Sequence, residues 1–401
     1  MRHRGESDPS APSDVGSDEL LLKKDQAKKE EKKPESLLRK TVVRSVVGIL
    51  MMIFFYLVLQ LPHSYIAVLI VLAQMYTWNE VSSLRFDSAQ EREIPTFKWV
   101  RWYFLLVSFV FFYKDTIQDK ISCPSCLANY KQYSAFGVFS LYVAGFVAFT
   151  LTLREANLRY QIRQLTWVIF TIFLIVGQTH FSMAYLKQGI VWILLPHSLI
   201  IVNDISAYFF GISLGRKIIN RPLFKLSPNK TWEGYFGAML FTIVLAFFAA
   251  PLYIRSDWFI CPAGLWNENK GCDVTLFPHG TVFQLTDYKV PVLNWTVSIY
   301  PLQIHAVIFA LFASVIAPVG GFLASAVKRA LNKKDFDTLF PGHGGFMDRV
   351  DCQLLMVSFV YMYLSTFIFS PPSPLQEIRS LYQSLSDSDK ATLASSFHQR
   401  S

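Results

Sequence analysis

Nine apolar runs, at 42–60, 64–78, 98–113, 135–152, 166–184, 189–210, 235–254, 301–324 and 352–371, constrain this chain more than anything else in it. A bilayer crossing takes about 20 mostly apolar residues, with a range of roughly 17–25. The second and third runs are short for a crossing, and Leu61-Pro62-His63-Ser64 leaves room only for a tight re-entry between the first two. Composition points the same way: 52% of residues are hydrophobic and 17% charged, where a soluble domain carries about 25% charged. The expected fold class is an all-α polytopic membrane protein of about nine transmembrane helices.

The net charge of +9 is of the size seen in nucleic-acid binders. No basic stripe with interleaved aromatics lies on a polar region large enough to fold, so no nucleic-acid partner is expected. The cations sit instead in loops between apolar runs, as the positive-inside bias requires. With the N-terminus in the cytoplasm, the cytoplasmic loops are 79–97, 153–165, 211–234 and 325–351. They carry Arg85 and Arg92, then Arg154, Arg159 and Arg163, then Arg216, Lys217, Arg221, Lys225 and Lys230, then a dense basic cluster. The opposite loops hold few. Residues 1–41 are polar, with no apolar segment near Met1, and read as a disordered cytoplasmic tail. Residues 372–401 form a second polar tail on the far side.

The cysteines suit this orientation. Cys261 and Cys272 share a far-side loop and are expected to pair there, because disulfides persist in oxidising compartments. Cys123 and Cys126 lie in another far-side loop, as a bridge, a redox pair or half a zinc site, the last disfavoured by the lack of nearby His or Cys. Asn294-Trp295-Thr296 is a glycosylation sequon on that side. Asn229-Lys230-Thr231 also matches, but on the cytoplasmic side.

One short stretch, Ser325–Asp351, concentrates Lys328, Arg329, Lys333, Lys334 and Arg349 with Asp335, Asp337, Asp348 and Asp351 between two membrane-length runs. Asp348 and Asp351 are spaced i, i+3 and share a face on a helix. Oxygen ligands so placed suit Mg²⁺, which takes one or two carboxylates plus substrate phosphates. Pro341-Gly342-His343-Gly344-Gly345 removes side-chain bulk where a polyphosphate can approach backbone N–H groups. Lys328 and Arg329 can pair with phosphate oxygens. The plainer reading, interfacial cations neutralised by nearby aspartates, covers single residues but not the set. Asn203 and Asp204 interrupt an apolar run, where ionisable groups face a cavity or a partner. Downstream, Lys230 and Thr231 are candidate phosphate contacts, and Trp232 either stacks on a base or belongs to the interfacial belt. His63, His180, His197 and His305 read as packing contacts.

These residues resemble the phosphatidate cytidylyltransferases, or CDP-diacylglycerol synthases. The family pattern is met by Ser325, Lys328-Arg329, Lys334-Asp335, Pro341-Gly342-His343-Gly344-Gly345 and Asp348-Arg349-Val350-Asp351, with Asn203-Asp204 and Ser227–Gly234 upstream. Two positions depart: Asp337 stands where the family has a small residue, and Gly321 where bacterial members carry an acid. The glycine, the long N-terminal tail and the paired cysteines look eukaryotic. The resemblance implies a cytidylyltransferase domain over 42–371, transferring CMP from CTP to phosphatidic acid from a cytoplasm-facing polar cavity. It implies Mg²⁺ on Asp348, Asp351 and, more weakly, Asp335. Lys328, Arg329 and Lys230 would hold phosphates, with His343 orienting or protonating the pyrophosphate. Ser325, Thr231, Trp232, Asn203, Asp204, Gly344, Gly345 and Arg349 complete the substrate contacts. A homodimer in the endoplasmic reticulum membrane is the implied setting. A CTP-dependent polyprenol kinase is the rival enzyme. A transporter for an anionic solute is the rival outside catalysis, disfavoured by the absence of paired broken repeats.

Overall fold

Backbone amides in lipid have no water to bond, so an apolar run must close its own hydrogen bonds. Most of the described part of each of the nine runs falls on helix. The computed structural model describes residues 37–85, 97–118, 124–224, 227–263, 279–290, 295–333 and 344–369, with 121, 265, 272–274, 277, 335–337, 339, 386, 389 and 390 besides. Most of both tails, Cys123 and Asn294 lie outside these residues.

The helices are α1 (Leu37–Leu59), α2 (His63–Ser83), α3 (Phe97–Gln118), α4 (Pro124–Leu151), α5 (Leu158–Thr171), α6 (Phe181–Leu186), α7 (Val191–Ser213), α8 (Trp232–Ile254), α9 (Asp257–Ile260), α10 (Pro301–Val315), α11 (Pro318–Ala330) and α12 (Met347–Tyr363). Strands β1 (Pro222–Phe224) and β2 (Ser227–Thr231) form one antiparallel hairpin. Strands β3 (Thr286–Val290) and β4 (Trp295–Ile299) form another, in register from Thr286↔Ile299 to Val290↔Trp295. Among the described residues, six stretches are long and apolar enough to cross a membrane: Ala128–Leu151, Glu155–Leu186, Val191–Ser213, Trp232–Ile254, Pro301–Ala330 and Met347–Ile368. The apolar part of α1, Val46–Leu59, is shorter.

Helix and apolar run do not coincide. The run 301–324 is two helices, because Pro318 has no N–H to continue α10 and instead opens α11 at a position where none is needed. The amides of Ile316 and Ala317 both turn back to the Phe312 carbonyl, at 2.9 and 3.0 Å, and end α10. Most of the loop 153–165 is helical: a 3₁₀ turn at Glu155–Asn157 leads into α5, so Arg159 and Arg163 lie on a helix. Likewise α2 continues to Ser83 and α11 to Ala330. Charges mark where a helix leaves lipid rather than where it ends.

Among the described residues three packed clusters hold the bundle, and α12 belongs to two of them. Its first half places Met347 and Leu354 among Trp78, Val81, Phe104, Leu165 and Val168. Its second half places Met356, Val357 and Val360 among Trp192, Leu195, Leu199, Ala246 and Phe309. Within lipid such contacts gain from dispersion and close fit rather than from leaving water. The alanines at 246, 250, 306, 310 and 313, all buried, let α8 and α10 approach closely.

The paired cysteines are borne out. Cys261 and Cys272 form a disulfide, with Cα atoms 5.7 Å apart and a sequence separation of 11. Closing a loop of this size is worth about 3 kcal/mol. Cys261→Ser is therefore expected to lower the thermal midpoint and the membrane abundance. Activity per folded molecule should stay within about twofold, because the bridge shares no partner with the site described next.

Candidate active site

A helix start leaves four backbone N–H groups without intrahelical partners, and at α12 carboxylates take several of them. Asp348, in its first turn, accepts through Oδ2 from the amides of Gly345 (2.9 Å) and Phe336 (3.0 Å). Its Oδ1 accepts from Lys328 Nζ at 2.5 Å, tying the start of α12 to the last turn of α11. Glu80, from α2, accepts through Oε2 from the amides of Phe346 and Met347, both at 3.1 Å. The turn between them needs glycine twice. Gly344 sits at φ +83°, and a Cβ on Gly345 would overlap Glu80 Oε1 and lie 2.8 Å from the Asp337 amide. Tyr76, one turn before Glu80, sets its ring edge on Phe346 at 5.9 Å and bonds the Asp337 carboxylate.

Asp351, one turn further on, takes no part in that network. Its Oδ1 accepts from the Cys352 amide at 2.7 Å. Its Oδ2 borders the space over Gly321, where a Cβ would stand 3.5 Å from this oxygen and 3.8 Å from Lys230 Nζ. Asp204 of α7 lies within electrostatic reach of Asp351, Lys230 and Arg349. Lys230 is carried by β2, with its ammonium 4.4 Å from the Phe322 ring centre; Phe322 in turn stacks on Phe224. Asp204, Lys230 and Arg349 are exposed and Asp351 half-buried. Two carboxylates and two cations thus face one reachable patch, contributed by α7, β2, α11 and α12. On its other side Asp351 lines an apolar cavity of about 140 Å³, together with Phe170, Leu174, Leu323, Val327 and Leu354.

The remaining expected site residues divide. Thr231 caps α8, its Oγ1 accepting from the Gly234 amide at 3.2 Å. Trp232 stacks on Phe236. Asn203 is buried, and its side-chain oxygen has no hydrogen-bond partner among the described residues. Ser325 bonds back to the Gly321 carbonyl at 2.7 Å. Arg329 is exposed and donates to the Lys333 carbonyl at 3.1 Å. Asp335 is exposed, its Cβ close to the space a Gly344 side chain would fill. His343 lies outside the described residues. Sequence reasoning missed Glu80 and Tyr76. Unlike Asp204, which interrupts an apolar run, Glu80 falls two residues past the run 64–78, where an acid is ordinary.

A divalent cation is tested by the donor set. Asp348 has one oxygen on Lys328 and the other on two amides. Asp351 and Asp204 have reach of each other and keep oxygen capacity. Among the described residues no group of three or more His, Cys, Asp or Glu is placed to hold a metal. Mg²⁺ needs fewer, since it keeps several waters and takes phosphate oxygens from a substrate. The pair fits it.

Membrane-length helices carrying a reachable cluster of carboxylates and cations beside an apolar cavity define a multi-pass membrane protein equipped to handle phosphates. The sequence model of the Cytidylyltransferase family matches residues 42–367. The chain belongs to that family. It is 42% identical over 336 residues to a probable phosphatidate cytidylyltransferase of Dictyostelium discoideum, covering 81% of this chain and 70% of that one. It is 35% identical over 379 residues to phosphatidate cytidylyltransferase 1 of Mus musculus (92% and 80%), and 36% over 345 residues to phosphatidate cytidylyltransferase 2 of Homo sapiens (83% and 76%).

Glu80 gives this region a pH dependence. Burial pushes its carboxyl up, the two amide bonds oppose that, and the negative charges of Asp337 and Asp348 add to it, leaving it at about 7 against an ordinary 4.5. The folded state then binds the proton more tightly than the unfolded chain, so stability falls as pH rises from 4.5 to 7 and levels off above. The thermal midpoint of the full chain is expected to fall over that interval. Glu80→Gln, which cannot ionise, should flatten that part of the curve.

Proposed function

We propose that this chain transfers CMP from CTP to phosphatidic acid, forming CDP-diacylglycerol and releasing pyrophosphate. Membership of the family over residues 42–367 carries the reading. The patch at Asp204, Lys230, Arg349 and Asp351 supports it with charges of both signs at the edge of an apolar bundle. A phosphate oxygen of phosphatidic acid attacks the α-phosphorus of CTP, and the bond from that phosphorus to the bridging oxygen breaks as pyrophosphate leaves. No protein nucleophile is needed. The work of the side chains is to position two anions that repel each other and to neutralise their charge.

In this reading Lys230 and Arg349 would hold phosphate oxygens, and Asp351 with Asp204 would hold Mg²⁺. When bound, the cation supplies charge neutralisation on the phosphates. Asp348, engaged by Lys328 and two amides, acts as the brace that keeps α11 and α12 in register, and Lys328 contributes its field from that bond. The apolar cavity behind Asp351 receives part of an acyl chain, next to the carboxylate that faces the headgroup. The bias of Lys and Arg toward one set of loops supports a site on the cytosolic face, where CTP is. The nine apolar runs support nine crossings, with α1, α2 and α3 completing the set, and the family resemblance supports the endoplasmic reticulum membrane.

The experiment is an assay of purified full-length protein with CTP, phosphatidic acid and Mg²⁺. One pyrophosphate per CDP-lipid is expected. With a polyprenol supplied in place of phosphatidic acid, a phosphorylated alcohol and CDP would instead identify a CTP-dependent polyprenol kinase. Asp351→Asn is expected to lower turnover about 1000-fold with membrane insertion intact. Turnover within about twofold of wild type would remove Asp351 from the cation site.

A further inference from the structure

We propose that Glu80 is a positioning residue for cytidylyl transfer: reaching from α2, it fixes the Gly344-Gly345 turn against the start of α12. It thereby sets where Asp348 and Asp351 stand. The inference rests on the function proposed above.

Glu80 is 6% exposed, and its Oε2 accepts from two consecutive amides, Phe346 and Met347, at separations of 266 and 267 residues. Its Oε1 has no hydrogen-bond partner among the described residues and rests against Gly345. A buried carboxylate oxygen without a partner is costly. An apolar side chain of similar length would fill the space without that cost. What the carboxylate adds is directed acceptance of two N–H groups at the start of α12, from a helix more than 260 residues away.

Gly345 is held between two carboxylates. Its amide donates to Asp348 Oδ2, and its Cα lies against Glu80 Oε1. Asp348 passes the position on, to Lys328 through Oδ1 and to the 336 amide through Oδ2. Tyr76 adds a second contact from α2, on Phe346 and Asp337. The body of α12 is fixed independently by two packed clusters. Loss of Glu80 therefore frees the turn and the first helical residues while the bundle stays assembled. A misplacement of about 1 Å far from the chemistry costs about 100-fold in rate.

Two measurements on the full-length protein in phosphatidylcholine nanodiscs test this. In the first, nanodiscs containing phosphatidic acid report turnover per folded molecule. Glu80→Ala is expected to lower kcat about 100-fold with KM for CTP within about threefold. Glu80→Gln, whose amide oxygen can still accept both N–H groups, should stay within about fivefold of wild type. A Glu80→Ala kcat within about twofold of wild type overturns the proposal, including the case where only folded yield falls. Where Glu80→Ala is not recovered folded, Glu80→Asp decides: it is one methylene short, and kcat should drop at least about tenfold. A value within about twofold overturns the proposal.

The second measurement is hydrogen exchange at the Phe346 and Met347 amides. It is expected to be at least about tenfold faster in Glu80→Ala or Glu80→Asp than in wild type and Glu80→Gln. Unchanged exchange overturns the proposal. An inactive wild type with the predicted exchange pattern would instead overturn the assigned reaction and leave the anchoring role standing.

Discussion

A helix that begins with Asp348-Arg349-Val350-Asp351 and continues as an apolar core element imposes the main constraint on this molecule. The body of α12 is shared by two packed clusters, so it can neither slide nor tilt without opening one of them. Its charged first turn must then sit at one depth, and the chain has to supply partners there. Asp348 finds Lys328 and two amides, and the open amides of the turn find Glu80. Asp351, which accepts from the Cys352 amide, keeps more acceptor capacity than Asp348. The packing that stabilises the bundle is thus also what brings a carboxylate within reach of Lys230 and Asp204.

The energetics of the two aspartates differ for the same reason. Removing one partner of a buried pair leaves an uncompensated charge, a larger loss than the pair's net worth. Lys328 and Asp348 are such a pair, both with little side-chain exposure. Placing the pair between α11 and α12 makes register between those helices sensitive to either residue. Asp351 and Asp204 are the reverse case: two like charges whose proximity is unfavourable and is offset by Lys230 and Arg349. An ion pair that braces two helices and a carboxylate facing a second acid thus lie one helical turn apart.

Much of this was legible in the sequence. Apolar run length gave the helices, and the density of mixed charge at Ser325–Asp351 marked the stretch where α11 and α12 meet in a network of charges. The role of each aspartate was not legible. An i, i+3 spacing says that Asp348 and Asp351 share a face; it does not say that loop amides and Lys328 will occupy one of them. Thr231 shows the same limit, since a hydroxyl in a phosphate-like motif and a helix N-cap look alike until the Gly234 amide is located. Glu80 was out of reach for a different reason. Its partners are more than 260 residues away and are backbone groups, which carry no residue-type signal.

Gly321 shows how one missing side chain shapes the site. It stands on α11 one residue after Gly320, the point where the absent side chain lets α11 come against the Asp351 carbonyl. At 321 a Cβ would enter the space between Asp351 Oδ2, Lys230 Nζ and Cys352 Sγ. An acidic side chain here, as in the bacterial pattern, would therefore join Asp351 and Asp204 as a third carboxylate. With glycine, the local charge from those two carboxylates is matched by Lys230 and Arg349, and a cation would depend on substrate phosphates for its remaining ligands. Metal and nucleotide would then bind as one unit, each supplying what the protein leaves out.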